Sequence, residues 1–235
     1  MCIYMFCLII LTLLFFFYIY NNDLSKQNET FSNNSDLELG SYNQFNNLHP
    51  INIYDNIINS DECNKLLKIS NGKFIQSTLY DSKSNKSSTS GFIDTKSRSS
   101  TNFYFMRGEN NLIRKIENKI SNLLNINLDQ IEPLQIAKYD KGQEYKYHYD
   151  YFDDTDNQRQ YSIVIYLNDL DEVDGGATHF PLYKCKFYPY KGRAVQWSNI
   201  NSDKSLNKLS LHAGQPILTD KTKYILTIWT REKSY

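Results

Sequence analysis

Apolar and polar positions change their rhythm three times along the chain. Cys2 to Tyr20 reads CIYMFCLIILTLLFFFYIY, an unbroken apolar run without a charge. At about 1.5 Å per residue such a helix spans roughly 30 Å, one hydrocarbon thickness. Tyr18 and Tyr20 suit a membrane interface. A cleaved leader would have a shorter apolar stretch ending in small residues. This run ends in Phe and Tyr, so residues 1–20 read as a transmembrane signal-anchor, with Cys2 and Cys7 as small apolar residues. Residues 21–50 are rich in Asn, Ser and acids and show no period, which reads as a flexible stalk. Its last His, His49, reads as a surface residue.

From residue 51 the pattern becomes that of a folded domain, 51–235. Ile51 to Tyr54 alternates as a short strand. Ser60 and Asp61 are N-cap residue types ahead of a helix carrying Cys63, Leu66 and Leu67. Residues 81–90 are Ser- and Lys-rich and predict an exposed loop. In Asn111 to Leu124, Leu112, Ile116, Ile120, Leu123 and Leu124 recur at helical spacing. After Pro133, strands are predicted at Leu134–Tyr139, Tyr145–Tyr151, Tyr161–Leu167, Arg193–Trp197, Leu209–Ala213 and Tyr224–Thr230. Glycine-bearing turns such as Asp174-Gly175-Gly176 separate several of them. Many strands without long intervening helices predict a mainly β fold with flanking helices, an antiparallel sandwich or jelly roll.

Charge and composition narrow the function. Twenty-six Lys and Arg balance 26 Asp and Glu, which argues against binding nucleic acid by bulk phosphate neutralisation. Four cysteines in 235 residues exclude a small disulfide scaffold. Cys63 and Cys185 read equally well as buried thiols or as a pair. Sequons at Asn28, Asn33 and Asn85 lend slight support to a lumenal face. Arg107 and Arg114 read as surface charges, and most of the 19 tyrosines as structural.

The chemistry gathers around Tyr147-His148-Tyr149-Asp150. Alternation puts His148 and Asp150 on one face of a strand, and His212 follows on a later one. Two His and a carboxylate on one side of a metal form the facial triad of non-heme Fe(II) oxygenases, with positions left open. His179 has the opposite parity from its neighbour Thr178 and reads as a non-ligand. Lys223 lies eleven residues past His212. Buried there, it would need an anion to stay charged. Lys221 shares its strand parity and is a rival.

These residues fall within a longer series of words. Asp61-Glu62-Cys63 with Leu66 is followed by Arg98-Ser99-Ser100, then by Glu132-Pro133-Leu134-Gln135 running into Tyr139. Gly142-Gln143 with Tyr145 leads to His148-Tyr149-Asp150-Tyr151-Phe152 and Gln158-Arg159. Tyr166-Leu167-Asn168-Asp169 precedes Gly175-Gly176-Ala177-Thr178-His179-Phe180-Pro181. Pro189 with Gly192, Leu211-His212-Ala213-Gly214 with Pro216, and finally Lys223 and Trp229 complete it. From about Ile51 to Lys233 the chain resembles the prolyl 4-hydroxylases, Fe(II)- and 2-oxoglutarate-dependent dioxygenases.

The resemblance implies a double-stranded β-helix (jelly roll, cupin-like) core and a proline-containing peptide or protein substrate hydroxylated at C4. It implies His148, Asp150 and His212 as ligands of Fe(II), and Lys223, Tyr139 and Thr178 around the distal carboxylate of 2-oxoglutarate. Tyr145 would lie near the metal, and Arg159 and Trp229 would help line the peptide groove, with Tyr145 and Arg159 contributing to catalysis. L-ascorbate would maintain the iron, and residues 80–100 would close over the peptide. It also implies a single-pass membrane enzyme with its catalytic domain in the lumen of the endoplasmic reticulum. Lys223-Tyr224-Ile225 resembles the family's lysine–aromatic–aliphatic run, although its spacing from His212 is one residue longer than usual. Ser162 stands where Thr is frequent, Gln215 where Cys is, and Arg231 where some members carry His. The residues leave two alternatives open: the same oxygenase chemistry on a lysyl residue or free amino acid, and a catalytically silent peptide-binding module.

Overall fold

The computed structural model describes residues 51–79 and 92–235. The predicted membrane anchor (1–20), the stalk (21–50), the three sequons and the loop at 81–90 lie outside the described residues. Among the described residues no helix is long and apolar enough to cross a membrane.

Among the described residues eleven strands form two antiparallel sheets. Seven strands are β1 (Ile51–Tyr54), β2 (Ile75–Gln76), β3 (Thr101–Phe105), β4 (Leu134–Tyr139), β6 (Arg159–Tyr166), β9 (Ala194–Ser198) and β11 (Lys223–Arg231). They make the larger sheet in the order β1-β9-β6-β11-β4-β3-β2. The smaller sheet is β5 (Tyr145–His148), β10 (His212–Gly214), β7 (Thr178–Phe180) and β8 (Cys185–Phe187), in the order β5-β10-β7-β8. Two helices, α1 (Ser60–Ser70) and α2 (Asn111–Leu124), complete the mainly β fold.

The larger sheet is buried on both faces, so its central strands read as nearly continuous apolar runs. Ile163 and Ile165 of β6, Leu134 and Ile136 of β4, and Leu226 and Ile228 of β11 share one core with Leu66, Ile113, Ile116 and Ile120 of the helices. The residues of opposite parity, Val164, Tyr166, Ala137, Tyr139 and Ile225, share a second core with Phe180 of the smaller sheet. The parity of β11 that carries Ile225 into this second core is also that of Lys223 and Trp229.

Helix α1 starts one residue earlier than its Ser and Asp suggested. Asn59 is the cap: its side chain accepts from the N–H of Glu62 at 2.9 Å, and the Glu62 carboxylate accepts from the N–H of Asn59 at 2.8 Å. Helix α2 has the predicted bounds, but its buried stripe is Ile113, Ile116, Glu117 and Ile120. Leu112, Leu123 and Leu124 only border it. Glu117 takes its place there because its carboxylate accepts from the N–H of Gly108, 3.1 Å from each oxygen. Strands β2, β3, β7 and β8 were not anticipated: β2, β7 and β8 have two or three residues, too short to display a period, and the five residues of β3, TNFYF, do not alternate cleanly between apolar and polar. Cys63 and Cys185 are both free thiols, and burial pushes the Cys63 thiol up to about 11. Arg107 and Arg114 are exposed as expected, yet both hold backbone carbonyls, those of Ile131 and Gly108 among them.

Ile120, fully buried between α2 and the larger sheet, tests this architecture. Ile120→Ala should lower the unfolding free energy by about 2–5 kcal/mol, and Leu123→Ala by less, as read by urea denaturation.

Candidate active site

The two imidazoles meet because β5 and β10 pair with His148 directly opposite His212. Their rings lie 4.2 Å apart between centroids. The register then shifts along β10, and β5 ends at His148, short of the predicted Tyr151. Asp150 therefore reaches the site from a bend beyond the strand, and simple alternation is not what aligns it with His148. Strand β10 likewise starts at His212 and not at Leu209, because Lys208–Ser210 forms a single helical turn.

All three groups offer ligand atoms within 4.8 Å of one another. Asp150 Oδ1 is 3.7 Å from His148 Nε2, and Asp150 Oδ2 is 3.7 Å from His212 Nε2. Each imidazole places its other nitrogen on a backbone carbonyl: His148 Nδ1 on Lys146 at 2.7 Å and His212 Nδ1 on Ser210 at 2.9 Å. A carbonyl only accepts, so the proton sits on Nδ1 and the lone pair of Nε2 faces the shared centre. Burial pushes the pKa of both imidazoles down, helped for His148 by the neighbouring His212, which keeps them in the neutral, ligating form. Burial alone would raise Asp150. The facing imidazoles, Arg159 and the Ser162 hydroxyl outweigh it and hold the carboxyl well below the usual range. His179 lies off this centre, with Nδ1 2.7 Å from the Tyr147 hydroxyl.

The same cavity has a cationic end. Lys223 opens β11 opposite Tyr139 of β4 and is 1% exposed. Its ammonium stands 5.3 Å from the Tyr139 ring centroid and 5.9 Å from that of Tyr166. Among the described residues no acidic side chain pairs with it, and burial pushes its pKa down to about 7. Thr178 Oγ1 is nearby on the cavity wall, 2.8 Å from the Tyr166 hydroxyl. Gly176 is required beside it: with φ +71°, a Cβ there would sit 2.6 Å from Ile217 Cδ1 and 3.4 Å from Lys223 Cδ. Lys221, the rival, precedes the strand. Its side chain is 54% exposed and ion-paired to Asp174 at 2.7 Å, so it faces solvent.

Tyr145 lies flat against His148, with ring centroids 3.5 Å apart, and burial pushes its phenol up to about 12. Arg159 grips Glu132 with two hydrogen bonds of 2.8 and 2.7 Å and stacks on Trp229 at 3.8 Å. Its third nitrogen is 4.0 Å from Asp150 Oδ1. Trp229 Nε1 is buried without a hydrogen-bond partner among the described residues. The cavity is partly open to solvent and is lined by the triad, Lys223, Tyr139, Thr178, Tyr145 and Trp229.

The profile of the 2OG-Fe(II) oxygenase superfamily matches residues 134–231. Prolyl 4-hydroxylase 5 of Arabidopsis thaliana is 32% identical over 201 residues, covering 75% of this chain and 66% of its own. Probable prolyl 4-hydroxylase 3 of the same plant is 30% identical over 207 residues, covering 78% of this chain and 69% of its own. The 2-oxoglutarate complex of a viral collagen prolyl hydroxylase from Paramecium Bursaria Chlorella virus-1 superposes with a TM-score of 0.61 at 30% identity. That alignment covers 78% of this chain and 96% of the viral one. The chain belongs to the prolyl 4-hydroxylase family. The matched part spans about two thirds of the plant relatives' length.

The residues present fit the family's cofactors. Two neutral imidazoles and an ionised carboxylate suit Fe(II), and a buried ammonium without a counter-charge suits the far end of 2-oxoglutarate. The family fold also brings in groups to which sequence reasoning gave no role. Arg98 is buried, donates to Gln135 Oε1 at 2.7 Å and covers the outer face of the Tyr145 ring at 4.8 Å. Gln135, Trp197 and Thr227 line the cavity as well. Arg98 and Gln135 did stand within the family's words, but neither spacing nor periodicity reveals which side chains turn inward.

Lys223 gives the empty site a pH signature. A lysine of folded pKa about 7 against an ordinary 10.5 binds fewer protons folded than unfolded across that interval. Stability should therefore rise with pH from about 7 toward 10.5, and this gain should disappear in Lys223→Met. Urea midpoints of the metal-free, 2-oxoglutarate-free protein across that range check it, and equal slopes for the two proteins would refute it.

Proposed function

We propose that residues 51–235 form a peptidyl-proline 4-hydroxylase domain that uses O2 and 2-oxoglutarate and releases succinate and CO2. One observation carries the reading: a single cavity bears the His148–Asp150–His212 triad and the unpaired ammonium of Lys223. That arrangement complements a metal-bound dicarboxylate. His148 and His212 through Nε2, together with Asp150, would hold Fe(II). When bound, Fe(II) with 2-oxoglutarate and O2 supplies the oxidising power for the C–H bond.

The chain's own groups bind and orient. Lys223 neutralises the distal carboxylate, with the Tyr139 and Thr178 hydroxyls available to it. Trp197, Val164 and Ile225 give the cavity apolar walls that limit water. Tyr145 stays protonated and packs His148 in place. On the peptide side, Trp229 contributes its side chain to the cavity wall. Arg159, occupied by Glu132 and lying beside Asp150, acts more as a positioning group than as a proton carrier. Ascorbate is proposed as the reductant that restores iron. Residues 1–20 are proposed as a single-pass anchor and 21–50 as a stalk, with the domain in the lumen of the endoplasmic reticulum. The apolar run supports the anchor, and the family resemblance supports the lumen.

Two experiments test the reading. Purified protein with Fe(II), ascorbate and 2-oxoglutarate should add one oxygen to proline in a proline-rich or collagen-like peptide, read by mass. Oxygen on lysine or on a free amino acid would redirect the substrate assignment. Absence of succinate release would support a silent module. His148→Ala should abolish turnover. Lys223→Ala should raise the 2-oxoglutarate requirement by about 30-fold or more, as for loss of a buried charge partner worth roughly 2–5 kcal/mol. Lys221→Ala should leave that requirement unchanged.

A further inference from the structure

Two of the three metal-binding side chains are joined by a buried polar path that lies outside the ligand set. Asp150 Oδ2 accepts a 2.6 Å hydrogen bond from Ser162 Oγ, and Ser162 Oγ in turn accepts from Asn199 Nδ2 at 2.9 Å. Ser162 and Asn199 are both fully buried. The direction of these bonds is determined by chemistry. An ionised carboxylate only accepts, so the one proton of Ser162 goes to Asp150, and Asn199 must turn its NH2 toward Ser162. This orientation leaves Asn199 Oδ1 buried without a hydrogen-bond partner among the described residues, an exception that calls for a reason.

The backbone of the same residue leads to the other ligand. The Asn199 carbonyl accepts from the N–H of Asn207 at 2.9 Å. Asn207 caps the helical turn before β10: its side chain accepts from the N–H of Leu209 at 3.1 Å and its carbonyl from Ser210 Oγ at 2.7 Å. The carbonyl of Ser210 is the group that receives His212 Nδ1–H at 2.9 Å. One residue thus anchors the rotamer of Asp150 with its side chain and the turn that aims His212 with its backbone.

We infer that Asn199 is a positioning residue for the metal centre. By holding Ser162 on Oδ2, it leaves Oδ1, the oxygen facing His148, as the one free for the metal. The assignment rests on the reading of His148, Asp150 and His212 as the Fe(II) site. Its role is to set metal affinity through Asp150, and it touches neither 2-oxoglutarate nor peptide.

Co(II), stable in air and visible by absorbance, is the probe. In the metal-free full chain, Asn199→Leu is nearly isosteric and removes both the donor and the orphan acceptor. It should raise the Co(II) dissociation constant about tenfold, the low end for groups behind metal ligands. The urea midpoint of the metal-free protein should change little, since no polar atom is newly stranded on Asn199 itself. Asn199→Ala should weaken Co(II) in the same sense and serves if the Leu variant fails to fold. Ser162→Thr should keep near-native affinity and Ser162→Ala should lose it. In the Ser162→Ala background, Asn199→Leu should cost much less than in the native chain, because the side chain acts through Ser162. Unchanged Co(II) affinity with a lowered urea midpoint would reduce Asn199 to a packing role and overturn the proposal, as would additive losses in the double variant. No Co(II) uptake by the native chain would instead overturn the metal reading, and the proposal with it.

Discussion

An aspartate lies buried against two imidazoles, and the surrounding structure is arranged to make that tolerable. Removing a carboxylate from water costs several kcal/mol unless its oxygens find partners. Asp150 finds the Ser162 hydroxyl on one oxygen and the edge of Arg159 near the other. Arg159 is itself only partly exposed and is balanced by Glu132, which also meets Arg231 at 2.6 Å. Charges therefore alternate from the metal-binding centre outward, each offsetting the burial of the next. Both imidazoles stay neutral because their Nδ1 protons are committed to carbonyls and burial opposes a second proton.

The sheets supply the rigidity that this arrangement needs. In the larger sheet one parity packs on the helices and the other forms the cavity floor. Lys223, Ile225, Thr227 and Trp229 lie along a single row of β11 and all line the cavity. The smaller sheet contributes His148, His212 and Thr178 from three neighbouring strands. Groups on paired strands keep their spacing through backbone hydrogen bonds, and placing the site on such elements fixes its geometry.

Much of this was legible from residue patterns. The helix at Asn111–Leu124 and the strand at Leu134–Tyr139 have the bounds that their sequence pattern gave them, because the helix buries one stripe and the strand is buried at nearly every residue. The triad and the buried lysine could be named because His-x-Asp, a later His and a downstream Lys recur inside a long series of family words. Patterns failed where regularity failed. Strands β7 and β8 have three residues each, and Asp150 sits past a strand end, where alternation no longer applies.

Residue order alone settled the mainly β class, the bounds of the helix at Asn111–Leu124 and the kind of chemistry, since these depend on local period and on which side chains are present. Tertiary structure decided the rest. Lys221 and Lys223 have equal parity, and only the packing of β11 beneath the smaller sheet buries one and leaves the other in water. Arg98, Gln135 and Asn199 reach the site from segments far apart along the chain. Their partners are set by strand pairing and side-chain packing across that distance, and no local rule of spacing carries such information.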